Sequence, residues 1–181
     1  MKKLYKMMMM VLVGVMAVSL TACEDQAIAR TLEGTWSGNM YIHSEYNGRY
    51  YDATRTEITF LKDPYRYSSG TGYWVDYYSG APWDYVANNI EWKVDLRTIY
   101  VYFVEEGTSL EIRDYSLNGN QFSGYINDHG TQVDFSLYYV SRPSYNGYRW
   151  GYDSWYGRTR SAGEVGDGID VAGKPRRFVG K

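Results

Sequence analysis

Cys23 is the only thiol among 181 residues, and it stands directly after Leu20-Thr21-Ala22. A single cysteine has no partner for an internal disulfide, and the chemistry its position suggests is acylation, which would leave no cysteine ligand or nucleophile in the mature protein. Asp76 and Asp84 offer a second kind of chemistry. Two carboxyl groups roughly 5–10 Å apart across a cleft can hydrolyse a glycosidic bond, and these two flank an aromatic run. Asp76 is expected on the outer face of a strand and Asp84 at a turn after Pro82-Trp83, both solvated. His43 and His129 are the only histidines, one at a strand end and one in a turn beside Asp128. No cluster has metal-ligand spacing, no Gly-x-Ser-x-Gly elbow is present, and no phosphate-binding loop occurs. The expectation is a protein without catalytic residues, metal or cofactor.

The segment before Cys23 explains the cysteine. Lys2, Lys3 and Lys6 make a positive start, and Met7 to Leu20 is a largely apolar run of 14 residues. That is the layout of a secretory signal, and the run is shorter than the roughly 20 residues that cross a bilayer. Leu20-Thr21-Ala22-Cys23 resembles the lipobox of bacterial lipoproteins. The resemblance implies a signal peptide over 1–22, cleavage before Cys23 and acylation of Cys23, which leaves 159 residues. Stable anchoring needs at least two acyl chains, and a lipobox cysteine carries three. Glu24-Asp25 is similar to the surface-export signal of Bacteroidetes lipoproteins, which implies an outer-membrane protein exposed at the cell surface.

The folded part is acidic. Residues 32–143 hold 8 Lys and Arg against 15 Asp and Glu, whereas residues 144–181 hold 7 against 4. Phosphate binding needs a basic face on the folded part, so nucleic acid is excluded as a partner.

Any functional side chain must be positioned by strands, because alternation at period two dominates after the leader. Trp36, Gly38, Met40 and Ile42 share one face of a first strand, and Thr56, Ile58 and Phe60 a face of the second. Further strands run through Gly72–Tyr78, Ile90–Leu96, Ile99–Phe103, Leu110–Leu117, Gln121–Asn127 and Val133–Tyr139. Asn118-Gly119-Asn120 suits a tight hairpin, since Asn and Gly accept positive φ. Eight short strands predict an all-β, antiparallel up-and-down meander. Closing it into a barrel buries one face and removes the edges; a flattened barrel or sandwich is the alternative.

Leu32-Glu33-Gly34-Thr35-Trp36 resembles the Gly-x-Trp at the first strand of lipocalins and related calycin barrels. Gly72 to Tyr78 and Ala81 to Tyr85 are similar to lipocalin-like lipoproteins of Bacteroidetes. The likeness spans about residues 30–142 and implies that Trp36 packs structurally across the closed end of a barrel. The expected organisation is a signal peptide (1–22), an acidic linker (23–31), a barrel domain (32–142), a Tyr/Trp/Gly-rich segment (143–157) and a disordered tail (158–181).

Aromatic residues make up 18% of the chain, 21 of them tyrosines. Cross-strand pairing absorbs part of this excess. The surplus around residues 73–85 suggests a binding surface, because aromatic rings pack on apolar groups and sugar faces. Strand parity puts Trp74, Asp76 and Tyr78 on one face. The acidic residue marks that face as the solvent side, with Trp83 and Tyr85 extending it, so Trp74, Tyr78, Trp83 and Tyr85 are the expected binding residues. Large inward positions, including Trp92 and Phe122, point to a filled interior. The leading reading is a lipid-anchored, non-enzymatic envelope protein that binds a glycan, a small apolar ligand or an envelope protein. The alternatives are a carbohydrate-active hydrolase using Asp76 and Asp84, and a structural component of an outer-membrane complex.

Overall fold

Strands rich in Val, Ile, Tyr and Trp, punctuated by Asn-Gly and Asp-Pro turns, pair in sequence order and then close on themselves. The computed structural model describes residues 23–128, 131–140, 148, 150 and 176–179. The strands are β1 (Gly34–Asn39), β2 (Ile42–Tyr46), β3 (Arg49–Lys62), β4 (Ser69–Tyr78), β5 (Tyr85–Asp95), β6 (Thr98–Phe103), β7 (Thr108–Leu117), β8 (Gln121–Asp128), β9 (Thr131–Val140) and β10 (Arg176–Val179). Every pairing is antiparallel. β1 bonds to β9 on one side and to β3 on the other, which closes an eight-stranded barrel of β1 and β3 to β9. Closure decides against the open sandwich.

β1 and β2 are two halves of one bent strand, both paired with β3 and interrupted at Met40-Tyr41. Tyr41 sits there at φ 51°, a backbone state that L side chains rarely adopt. Past the break, β2 and β3 join through Asn47-Gly48, both at positive φ as a two-residue hairpin demands. The hairpin rises beyond the barrel at the end we call upper. The β4–β5 and β6–β7 connections share that end. The β3–β4, β5–β6 and β7–β8 connections define the lower end.

The expected linker is a helix. Residues 23–32 form α1 under the barrel, with Asp25, Ala29 and Leu32 buried and Ile28 packed on the core. Those four are spaced as one helical face, too short a stripe to register as periodicity. Trp36 is fully buried at this closed end. Its Nε1–H donates to the Leu32 carbonyl at 2.8 Å, and its ring meets Phe122 and Tyr139 edge-on at 6.0 and 5.5 Å. The preceding glycine has a physical cause. Gly34 has φ 133°, and a Cβ there would stand 2.5 Å from Tyr139 Cε2.

The core fills the lower and middle barrel. Trp36, Ile58, Phe60, Trp74, Ile90, Trp92, Val101, Phe103, Ile112, Phe122, Phe135 and Leu137 are all buried. Phe122 is a hub, with Phe135 at 4.9 Å and Phe60 at 6.5 Å. Each such side chain contributes about 1.5–3 kcal/mol by leaving water.

One expectation about the chain's end changes. Arg176–Val179 pairs with β2, from Arg176 opposite Glu45 to Val179 opposite Ile42, so the disordered tail does not extend over these residues. Strand addition works through backbone hydrogen bonds, which an apolar count does not detect. Tyr148 and Trp150 pack on the outer wall of β4 and β5. Trp150 stacks on Tyr73 at 5.2 Å, the Tyr148 and Tyr77 hydroxyls meet at 2.7 Å, and the Tyr148 ring meets Tyr85 edge-on at 5.4 Å. Outward residues Glu57, Thr59, Val75 and Ala87 are buried on this same wall. The leader over 1–22, His129, and most of 141–175 lie outside the described residues.

Candidate functional site

The expected binding face is turned inward. Trp74 and Asp76 are both 0% exposed and Tyr78 6%, because Trp74 pairs with Ile58 and Asp76 with Thr56, on the inner side of β3. A carboxylate can face a barrel interior when its hydrogen bonds are supplied. Asp76 Oδ1 accepts from Thr56 Oγ1–H at 2.7 Å and from Trp74 Nε1–H at 3.0 Å. Next to this pair on the inner wall, Asn88 Nδ2–H donates to Glu106 Oε1 at 2.8 Å. Asp76 therefore belongs to a polar layer of the core, and parity alone could not assign its face.

Trp83 is also buried. It lies in the β4–β5 connection and roofs the upper end, edge-on to Tyr46, Tyr51 and Tyr78 at 5.7, 5.5 and 5.8 Å. The Tyr78 and Ser44 hydroxyls meet beneath it at 2.9 Å. Tyr85 is half-buried on the outer wall under Tyr148. The four residues expected to form one exposed surface thus divide among core, roof and outer wall.

The hydrolase reading loses its geometry in the same way. Asp76 is sealed inside the barrel, whereas Asp84 is exposed on the loop and its backbone carbonyl accepts the Tyr78 N–H at 2.8 Å. Glu105 and Glu106, in the β6–β7 connection, reach back to β5. Glu105 accepts from Asn89 N–H at 2.7 Å and from its side chain at 2.5 Å. Among the described residues no group of His, Cys, Asp and Glu could hold a metal ion.

A different site emerges where the first strand breaks. β1 bonds to β9 as far as Asn39 opposite Ser136, and β2 bonds to β10 from Ile42 onward. The change of neighbour opens a cleft of about 610 Å³ lined by Asn39, Tyr41, Ile42, His43, Tyr50, Asp52 and Ala53. The hairpin register places His43 opposite Asp52. Tyr41 is 40% exposed and Tyr50 66%. The His43 and Tyr50 rings meet edge-on at 5.6 Å. Asn39 Oδ1 accepts the Tyr41 N–H at 2.8 Å and so holds the positive-φ kink. The cleft combines two exposed phenol rings, a carboxylate, an imidazole and an amide over an apolar floor of Ile42 and Ala53. Only Asn47-Gly48 could have signalled it in the sequence, by setting the hairpin register that aligns these residues.

Comparison with known proteins bears on the fold. No curated protein matches the chain. Among solved structures, a redesigned β-barrel is similar at 10% identity and a TM-score of 0.39, covering 63% of this chain and 95% of its own. The Lipocalin-like domain profile matches residues 32–124, from the end of α1, just before the strand carrying Gly34-Thr35-Trp36, to the middle of β8. The chain belongs to the lipocalin-like domain family.

Proposed function

We propose that this protein is a lipid-anchored, non-enzymatic binding protein of the bacterial cell envelope, which recognises its ligand on the outside of its barrel. The observation that carries the reading is the contrast between the two sides of the wall. Inward positions are occupied by large side chains such as Trp36, Phe60, Trp74, Trp92 and Phe122, while the break between β1 and β2 opens a cleft lined by exposed rings and polar groups. Membership of a family of binding barrels supports a binding role over a catalytic one. The leader and the exposed Cys23 support acylation and an outer-membrane, surface-facing location.

The ligand class that suits the cleft is a carbohydrate. Phenol rings pack against sugar C–H faces, and Asp52, His43 and Asn39 offer both acceptors and donors to ring hydroxyls. Glycan-array binding by wild type and by Tyr50→Ala/Asp52→Ala tests the reading. Both substituted residues are exposed, so the variant should keep its melting temperature and lose at least tenfold in affinity. Unchanged array binding, or capture of a small apolar molecule or envelope protein that the variant retains, would refute it.

A further inference from the structure

We infer that the lower end of the barrel is a membrane-contacting face, with Leu96, Tyr65 and Tyr67 seated in the interfacial layer of the bilayer that holds the acyl chains of Cys23. The inference rests on the proposed acylation and extends it from an attachment point to an orientation.

Cys23 is not on a tether. It is exposed at the start of α1, and two residues later the Asp25 carboxylate accepts the backbone N–H groups of Leu96 and Arg97 at 3.1 and 2.9 Å. Glu24 adds an ion pair to Arg97 at 2.5 Å. Two residues of chain span at most roughly 7 Å, so lipid on Cys23 brings the β5–β6 turn to the bilayer surface. The β3–β4 loop lies beside that turn, since the Val94 N–H donates to the Ser68 carbonyl at 2.7 Å.

What these two connections display is unusual for loops. Leu96 is 71% exposed, Tyr65 90% and Tyr67 73%. Tyrosine suits the membrane–water interface because its ring is apolar and its hydroxyl wet. Leu96 and Arg97 also hold φ of 49° and 62°, a two-residue turn for which Asn-Gly is the favoured pair. Several of the nearby charges are paired: Arg66 with Asp63, Lys93 with Asp95, and Arg97 with Glu24. A rim partly neutralised in this way fits insertion of apolar and aromatic groups, with little dependence on salt.

The test uses the full-length lipidated protein reconstituted in phosphatidylethanolamine vesicles. Acylation occupies Cys23, so Leu96→Cys or Tyr65→Cys supplies the only free thiol for a nitroxide label. Gly80→Cys, in the connection at the opposite end where a Cβ meets nothing within 4 Å, is the reference. Labels at 96 and 65 should be more accessible to oxygen than to a water-soluble nickel chelate, and the label at 80 the reverse, at low and high salt alike. Water-like readings at 96 and 65, with alkyne fatty acid incorporated at Cys23, would overturn the orientation alone. Absence of fatty acid incorporation would overturn the anchoring and the orientation together.

Discussion

Asp76 Oδ1 accepts the indole N–H of Trp74 at 3.0 Å, two residues back on the same inner face of β4, and both side chains are fully buried. With Thr56 as the second donor, the carboxylate becomes the centre of a polar layer between the packed barrel and its Trp83 roof.

Replacing that carboxylate should therefore be expensive. Asp76→Leu leaves two buried donors without their acceptor, at about 1–3 kcal/mol each. Asp76→Asn keeps an acceptor oxygen and should cost less. Urea unfolding checks the ranking. A change below about 0.5 kcal/mol for Asp76→Leu is what a surface position would give.

Trp36→Ala should destabilise by about 3–5 kcal/mol, the range for deleting a large buried aromatic. It also removes the bond to the Leu32 carbonyl that joins α1 to β1. Hydrogen exchange over residues 25–32 should accelerate along with the loss of global stability. An unaffected α1 would show that the helix is held by other contacts.

The barrel was legible in the sequence because period-two alternation and tight turns are local signals, and the Gly-x-Trp start located the closed end. The side of the wall was not. Parity separates Trp74, Asp76 and Tyr78 from Tyr73, Val75 and Tyr77, but long-range pairing with Thr56 and Ile58 decides which set points in. A charged residue was a poor guide to solvent, since Trp74 and Thr56 supply one of its oxygens with bonds that water would. The cleft leaves no local signal in the sequence for the same reason. Asn39, Tyr41, Tyr50 and Asp52 meet only through the Asn47-Gly48 hairpin and the change of neighbour from β9 to β10.

The β5–β6 turn makes a prediction about stability against use. Leu96→Asn/Arg97→Gly installs residues that tolerate positive φ, where a bulkier L residue costs about 1–2 kcal/mol. The double variant should be more stable by about that amount and should lose the membrane contact argued for Leu96. Thermal melts in detergent measure the first effect. A destabilised variant would mean that the Leu96 and Arg97 side chains support the turn.

Glu57 gives the protein a pH signature. Its carboxyl is buried on the outer wall, which raises its pKa from the usual 4.5, while the charge of Arg55 opposes the rise. A raised folded-state pKa favours folding while the group is protonated, below its unfolded value, and that contribution is lost as pH rises through the folded value. Glu57→Gln should match wild type near pH 4 and exceed it in stability at pH 7. A stability gap that does not widen between those pH values would argue that Arg55 outweighs burial.

Recognition of ligand outside a filled barrel is tested directly by a map of NMR shifts during titration with the oligosaccharide that the array selects. The indole N–H groups of Trp36, Trp74 and Trp92 are each held by a bond inside the protein, to Leu32, Asp76 and Thr71, and so report on the interior. Binding in the cleft predicts shifts at Asn39, Tyr41, His43, Tyr50 and Asp52 with these three indole signals unmoved. Displacement of the Trp74 and Trp92 indole signals, with the cleft residues silent, would place the ligand inside the barrel and rule out recognition at the cleft.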